Sequence, residues 1–231
     1  MMDTPAFNTG IYSAAEAAGL VGMRAPTLRR WLLGYDFDHQ GALRHQAELW
    51  RPQYPVDDDL FLGFRDLVEA RVVNALRKQG IGLQTIRLCL DRARSIVKDD
   101  RPLSTTSFKT DGRSIFLEIT EGVDEPQLVD LRKRQGVFRH VVEPSLSGLD
   151  FGPDGAERWW LIPGKRTIVA DPAIAFGSPS VANHGVTTRR LAEAVRSEGS
   201  VERVGRLYDV KPGIVRDALQ FEREKGLRRA A

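Results

Sequence analysis

The sequence predicts a mainly α protein: an N-terminal winged helix-turn-helix, central helices with small β-hairpins, and a C-terminal three-helix helix-turn-helix domain. Three observations carry that prediction. Two short helical patterns meet at a glycine in "YSAAEAAGLVGMRAPTLRRWL", residues 12–32. A 3.6-residue apolar rhythm then runs from Leu60 to Val97, and a second pair of short, capped helical patterns closes the chain. The boundaries that follow are 1–60, 61–105 (a helical hairpin), 106–165 (a β-hairpin and helix connector) and 166–231.

Ser13 followed by Glu16 is a capping box, which starts a first helix at Ala14 and carries it to about Leu20. Gly22 suits the left-handed turn, Met23 offers an apolar plug, and Pro26 fits the first turn of a second helix ending near Leu33. Ala18, Leu28 and Trp31 fall where the two helices touch, leaving Arg24, Thr27, Arg29 and Arg30 outward. A helix-turn-helix uses its first helix to brace a second that enters the DNA major groove, so both can be this short. The same spacing also serves an α-hairpin used only for packing; the arginines favour DNA. Residues 34–58 read as a β-hairpin wing with Arg44 or His45 at its tip.

Between Leu60 and Val97, Gly80 and Gly82 divide two helices. Leu60, Phe61, Phe64, Val68, Val72 and Leu76 form an apolar face that either meets a second subunit or is covered within the chain. Cys89 is a small core residue. "FKTDGRSIFLEI", residues 108–119, reads as a hairpin turning at Asp111-Gly112, and a helix is expected from Pro126 to about Gln135. In "DGAERWWLIPG" a turn precedes a strand on which Trp159 and Trp160 point to opposite faces, one toward core and one toward an interface.

Residues 168–188, "IVADPAIAFGSPSVANHGVTT", read as loop, after which Thr187 or Thr188 caps a helix that stops at Gly199. Ser200 caps the next helix, Asp209 to Lys211 turn, and Pro212 opens the last one. Val201, Val204, Leu207, Val210, Ile214, Val215, Leu219 and Phe221 supply its core; Arg203, Arg206, Lys211 and Arg216 stay outward.

Composition narrows the function. The 231 residues are 42% apolar with a formal charge of +3. No long apolar run or basic, apolar leader pattern appears, so the cytoplasm is the expected compartment and no membrane is expected as partner. Cys89 has no disulfide partner, and His39, His45, His140 and His184 show no ligand spacing, so neither a metal nor another cofactor is expected. Catalysis is not expected either: there is no phosphate-cradling glycine loop, no Ser-His-Asp or Cys-His pattern, and Asp57-Asp58-Asp59 is a solvated run. Residues 187–231 hold eleven Arg and Lys against seven acids, a basic end that fits nucleic acid or simply a solvated face.

"EAAGLVGMRAPTLRRW" resembles the MerR-type winged helix-turn-helix through Glu16, Ala17, Ala18, Gly22, Thr27, Leu28, Arg29 and Trp31. Arg24 and Ala25 stand where that type usually has Ser-Pro, a weaker cap by about 1 kcal/mol. "LGFRDLVEARVVNALRKQGIGLQTIR", "FKTDGRSIFLEI" and the stretch from Asp171-Pro172 through Gly177, Pro179 and Ala218-Leu219-Gln220-Phe221-Glu222 are similar to VapB-type antitoxins. Asn183-His184-Gly185 lies near where that group commonly has Gly-Thr-Arg, so no role of that arginine carries over. The resemblance implies an antitoxin that represses its own operon as a homodimer on promoter DNA and restrains a VapC-type PIN-domain ribonuclease. It implies DNA contacts from Arg24, Thr27, Arg29, Arg30 and Arg44, and toxin contacts from Arg216, Arg223, Arg228 and Arg229, because guanidinium groups suit a nuclease's clustered carboxylates. The rival is a MerR-like regulator sensing a small ligand between its middle helices and the Trp159-Trp160 strand.

Overall fold

The computed structural model describes residues 9–56, 59–120 and 136–230, apart from the side chains of residues 120 and 227–230. The expected helix 126–135 and the Asp57-Asp58 pair lie outside the described residues. The protein is mainly helical with small antiparallel sheets and an N-terminal helix-turn-helix. Strand β1 (Tyr12–Ser13) leads directly into α1 (Ala14–Val21), and α2 (Ala25–Leu33) follows the Gly22 turn. The wing is β2 (Tyr35–His39) and β3 (Ala42–Gln46), while β4 (Phe61–Leu62) returns to pair with β1, Tyr12 opposite Leu62.

Helix α3 (Phe64–Lys78) is the central rod. Phe64, Leu67, Val68, Val72 and Leu76 are all buried, by neighbours that include α1, α4 (Leu83–Val97) and the central sheet. The apolar face from Leu60 to Leu76 is therefore covered within the chain. Phe61 alone of that set is substantially exposed, at 39%, so the face does not require a second subunit.

The hairpin expected at 108–119 is instead part of helix α5 (Thr106–Thr120). Thr105 Oγ1 accepts the Phe108 amide at 3.1 Å at its start, and Phe108, Ile115 and Ile119 bury at helical spacing. The Asp111-Gly112 turn signal loses because a Cβ on Gly112 would lie 2.9 Å from Phe138 Cζ. Glycine lets the Phe138 ring press onto the helix, 6.2 Å from the Phe108 ring and 5.9 Å from that of Phe116. Phe138 belongs to a π-helical turn, Phe138–Val142, that runs into the short α6 (Glu143–Ser145).

A four-stranded antiparallel sheet follows, in the order β5 (Leu149–Gly152), β6 (Gly155–Trp160), β7 (Ile168–Ala170) and β8 (Ser180–Val181). The stretch read as loop thus contains two short strands, β7 being wholly buried. On β6 both tryptophans are half-buried: the Arg71 guanidinium sits 4.4 Å over the Trp159 ring, and Trp160 Nε1 donates to Asp150 at 2.9 Å.

The C-terminal unit is α7 (Thr188–Glu198), α8 (Val201–Leu207) and α9 (Pro212–Ala230). Thr187 caps α7 and Ser200 caps α8, each accepting a main-chain amide at 3.2 Å. Thr188 is buried instead, donating to Glu222 on α9. Leu207, assigned to this core from its spacing, is 65% exposed, because it lies on the open side of a helix only seven residues long. Helix α9 packs on α7 and α8 and also on α1, so the two helix-turn-helix units touch.

Glu69 is fully buried on α3; Ser104 N–H donates to its Oε1 at 3.0 Å while Oε2 has no partner. Burial pushes this carboxyl up from 4.5 to about 8. Between those values the folded chain holds a proton that the unfolded chain has released, so stability falls as pH rises across the window and levels off above about 8. Glu69→Gln keeps the shape without the titration. Its Tm is expected to vary less than the wild type's between pH 5 and pH 8.5; equal slopes would remove Glu69 from the account.

Candidate nucleic-acid interface

The geometry of α2 is set from its N-terminal side. Glu16 accepts from Ser13 N at 3.1 Å while Ser13 Oγ accepts from Glu16 N at 3.3 Å, completing the capping box. Gly22 closes α1 in the left-handed region at φ 73, its N–H reaching Ala18 O at 2.9 Å. Ala18, Leu28 and Trp31 are buried at the contact between helices. Arg24 occupies the N-cap of α2 with no side-chain capping bond, as its replacement of a serine implies.

Helix α3 adds a brace that sequence reading did not find. Asn74 Nδ2 donates to Val21 O at 3.2 Å, and Lys78 Nζ to Gly22 O at 3.4 Å. These groups take up carbonyls left free at the end of α1 and hold the turn from behind. The pattern Asn74…Lys78, one helical turn apart, carries no local sign of its distant partner.

On the open side Arg24, Thr27, Arg29 and Arg30 are all exposed, and α2 has no acidic residue in its first turn. Arg30 also lies 5.4 Å over the Tyr35 ring, so its guanidinium plane rests against the root of the wing. In the wing the turn is Gln40-Gly41, both at positive φ, and Gly41 N–H donates to Asp38 Oδ1 at 3.0 Å. Arg44 pairs with Phe37 and His45 with Asp36, two and three positions from the end of the hairpin. Neither is at the tip, because the two-residue turn falls three and four residues before Arg44; Arg44 is nevertheless exposed. His45 Nδ1 lies 2.7 Å from Asp36 Oδ1.

The base of the wing is organised by Asp66, a residue also missed. It is fully buried and receives four donors: Trp50 Nε1 at 3.1 Å, Gln53 N at 2.8 Å, Gly63 N at 3.0 Å and Arg101 Nε at 2.7 Å. An aspartate at the third position of a helix signals a cap, as it does here for Gly63, but its other partners come from two separate segments, Trp50 with Gln53 and Arg101.

The four residues expected at a toxin lie elsewhere. Arg216, on α9, is exposed and pairs with Glu202 at 2.7 Å; Arg223 is exposed on the same helix. The backbone of Arg228 and Arg229 belongs to α9, but their side chains lie outside the described residues. Among the described residues, no group of three or more His, Cys, Asp or Glu side chains is arranged to hold a metal ion. No helix among them is long and apolar enough to cross a membrane.

Residues 10–90 match a family described as "Putative DNA-binding HTH domain". The matched segment holds the helix-turn-helix, the wing and the bracing helix α3. Over 227 residues the chain is 28% identical to "Putative antitoxin VapB45" of Mycobacterium tuberculosis, covering 92% of this chain and 94% of that one. The crystal structure of Rv2018 from the same organism superimposes with a TM-score of 0.69 at 27% identity, covering 90% of this chain and 96% of that one. The chain is thus similar to a "Putative antitoxin" along nearly its whole length, and its helix-turn-helix lies within the segment that matches the "Putative DNA-binding" family.

Proposed function

We propose that the protein is the antitoxin of a type II toxin–antitoxin pair, a non-catalytic repressor that binds its own promoter and neutralises a PIN-domain ribonuclease. The observation that carries the reading is the exposed arginine face of α2, buried on its other side and braced by α3. In it Arg24, Thr27 and Arg30 enter the major groove while Arg29, and Arg44 on the wing, meet phosphates, in the manner of a MerR-type winged helix-turn-helix. Residues 1–60 form the DNA-binding part, 61–105 and 106–165 support it, and 166–231 face the toxin. The homodimer in this reading rests on the paired half-sites that helix-turn-helix proteins read, and not on the face of α3.

The toxin contacts fall to Arg216, Arg223, Arg228 and Arg229, whose planar forks suit clustered carboxylates. Co-expression with the product of the adjacent reading frame tests this. The full chain is expected to relieve that protein's toxicity, and a chain lacking residues 223–231 is expected to lose protection while still shifting promoter DNA. Full protection by the shortened chain would remove Arg223, Arg228 and Arg229 from the toxin interface. A ligand-sensing MerR-like regulator gains no support from the hollow between α3, α4 and α5, lined by Val72, Ile86, Cys89, Phe108 and Ile119. Its volume of about 20 Å³ is far below the several hundred a small effector fills.

A further inference from the structure

The segment that follows the wing, residues 47–53, has no regular secondary structure, so its carbonyls need donor partners from elsewhere. They are supplied by arginines of the helical core. Arg87 on α4 donates through one nitrogen to Ala47 O at 2.7 Å and through the other to Glu48 O at 2.6 Å. About two turns further along α4 Arg94 donates to Leu49 O, and beyond the helix Arg101 donates to Arg51 O at 2.7 Å. The same segment is tied to the end of the recognition helix, Leu49 N–H reaching Trp31 O at 2.6 Å. The wing therefore hangs between α2 and α4. Arg94 also meets Asp91 and Arg101 meets Asp66, whereas the contacts of Arg87 go to two successive carbonyls, a task its rigid fork performs and a lysine cannot.

We infer that Arg87 is a positioning residue for DNA binding: it meets no DNA itself and sets the wing's approach relative to α2 by gripping the carbonyls of Ala47 and Glu48. The inference rests on the DNA reading proposed above. Its test compares wild type, Arg87→Ala and Arg87→Lys in two measurements on the full chain. Amide hydrogen exchange, read without DNA, is expected to accelerate in both variants across 35–46, with α3 and α7–α9 unchanged. Promoter affinity is expected to fall about five- to tenfold in both, with the salt slope preserved, since no phosphate contact is lost. Rescue by lysine together with a slope reduced by about one in the alanine variant would make Arg87 a phosphate contact and overturn the inference. Wing exchange identical to wild type, or acceleration spread over the whole fold, would also overturn it. Because exchange is read without DNA, a promoter that the wild type fails to bind would remove the DNA reading while the exchange data still judge the brace.

Discussion

Replacing Arg24, Arg29 and Arg30 together by alanine is expected to lower promoter affinity by about 100-fold or more. Each base or phosphate contact contributes roughly 1–3 kcal/mol, and three at the low end already exceed two powers of ten. The fold should tolerate the change, because all three side chains are exposed and only Arg30, stacked on Tyr35, has a packing role. Single variants should separate two kinds of contact. Thr27→Ala and Arg30→Ala weaken binding to the promoter more than to unrelated DNA, whereas Arg29→Ala weakens both alike and reduces the salt slope. Gel shifts at two salt concentrations distinguish them, and unchanged affinity in the triple variant would take α2 out of the interface.

The largest expected loss of stability comes from Asp66→Ala. Its carboxylate accepts from Trp50, Gln53, Gly63 and Arg101, and the Arg101 side chain is only 14% exposed. Removing the acceptor leaves a mostly buried guanidinium without its counter-charge and an indole N–H without its acceptor, which costs about 3–5 kcal/mol. Asp66→Asn is no rescue, since all four partners donate, two to each oxygen, and an amide must turn its NH2 toward one of those pairs. Urea denaturation measures the loss. A cost below about 1 kcal/mol for the alanine variant would mean that the node does not hold the wing to α3, as surface pairs generally do not.

Local signals were the legible ones. Ser13 with Glu16, Gly22, Gly199 and Ser200 each act within one turn of the backbone, and all lie where their spacing places them. So the two helix-turn-helix units and the break between α3 and α4 could be read directly. Residues 108–119 could not, because Asp111-Gly112 has strong turn chemistry and the competing reason for Gly112, the Phe138 ring, is distant in sequence. The tip of the wing was displaced for a related reason: Gln40, a residue without turn preference, takes φ 56 beside Gly41. For the interface, exposure of the α2 arginines followed from helical phase. The bracing by Asn74 and Lys78, the Asp66 node and the Arg87 fork join segments 13 to 56 residues apart, and no periodicity encodes such pairs.

The central claim is that α2, and not the C-terminal unit, meets DNA. Two exposed leucines, one in each unit, make a direct comparison: Leu33 at the end of α2 and Leu207 on α8. A DNA-cleaving iron chelate can be attached at Leu33→Cys or Leu207→Cys with little background, because burial pushes the Cys89 thiol up to about 12 and leaves it unreactive near neutral pH. The account predicts promoter cleavage from position 33 at two symmetric places and none from position 207. Cleavage from 207 with none from 33 would contradict it.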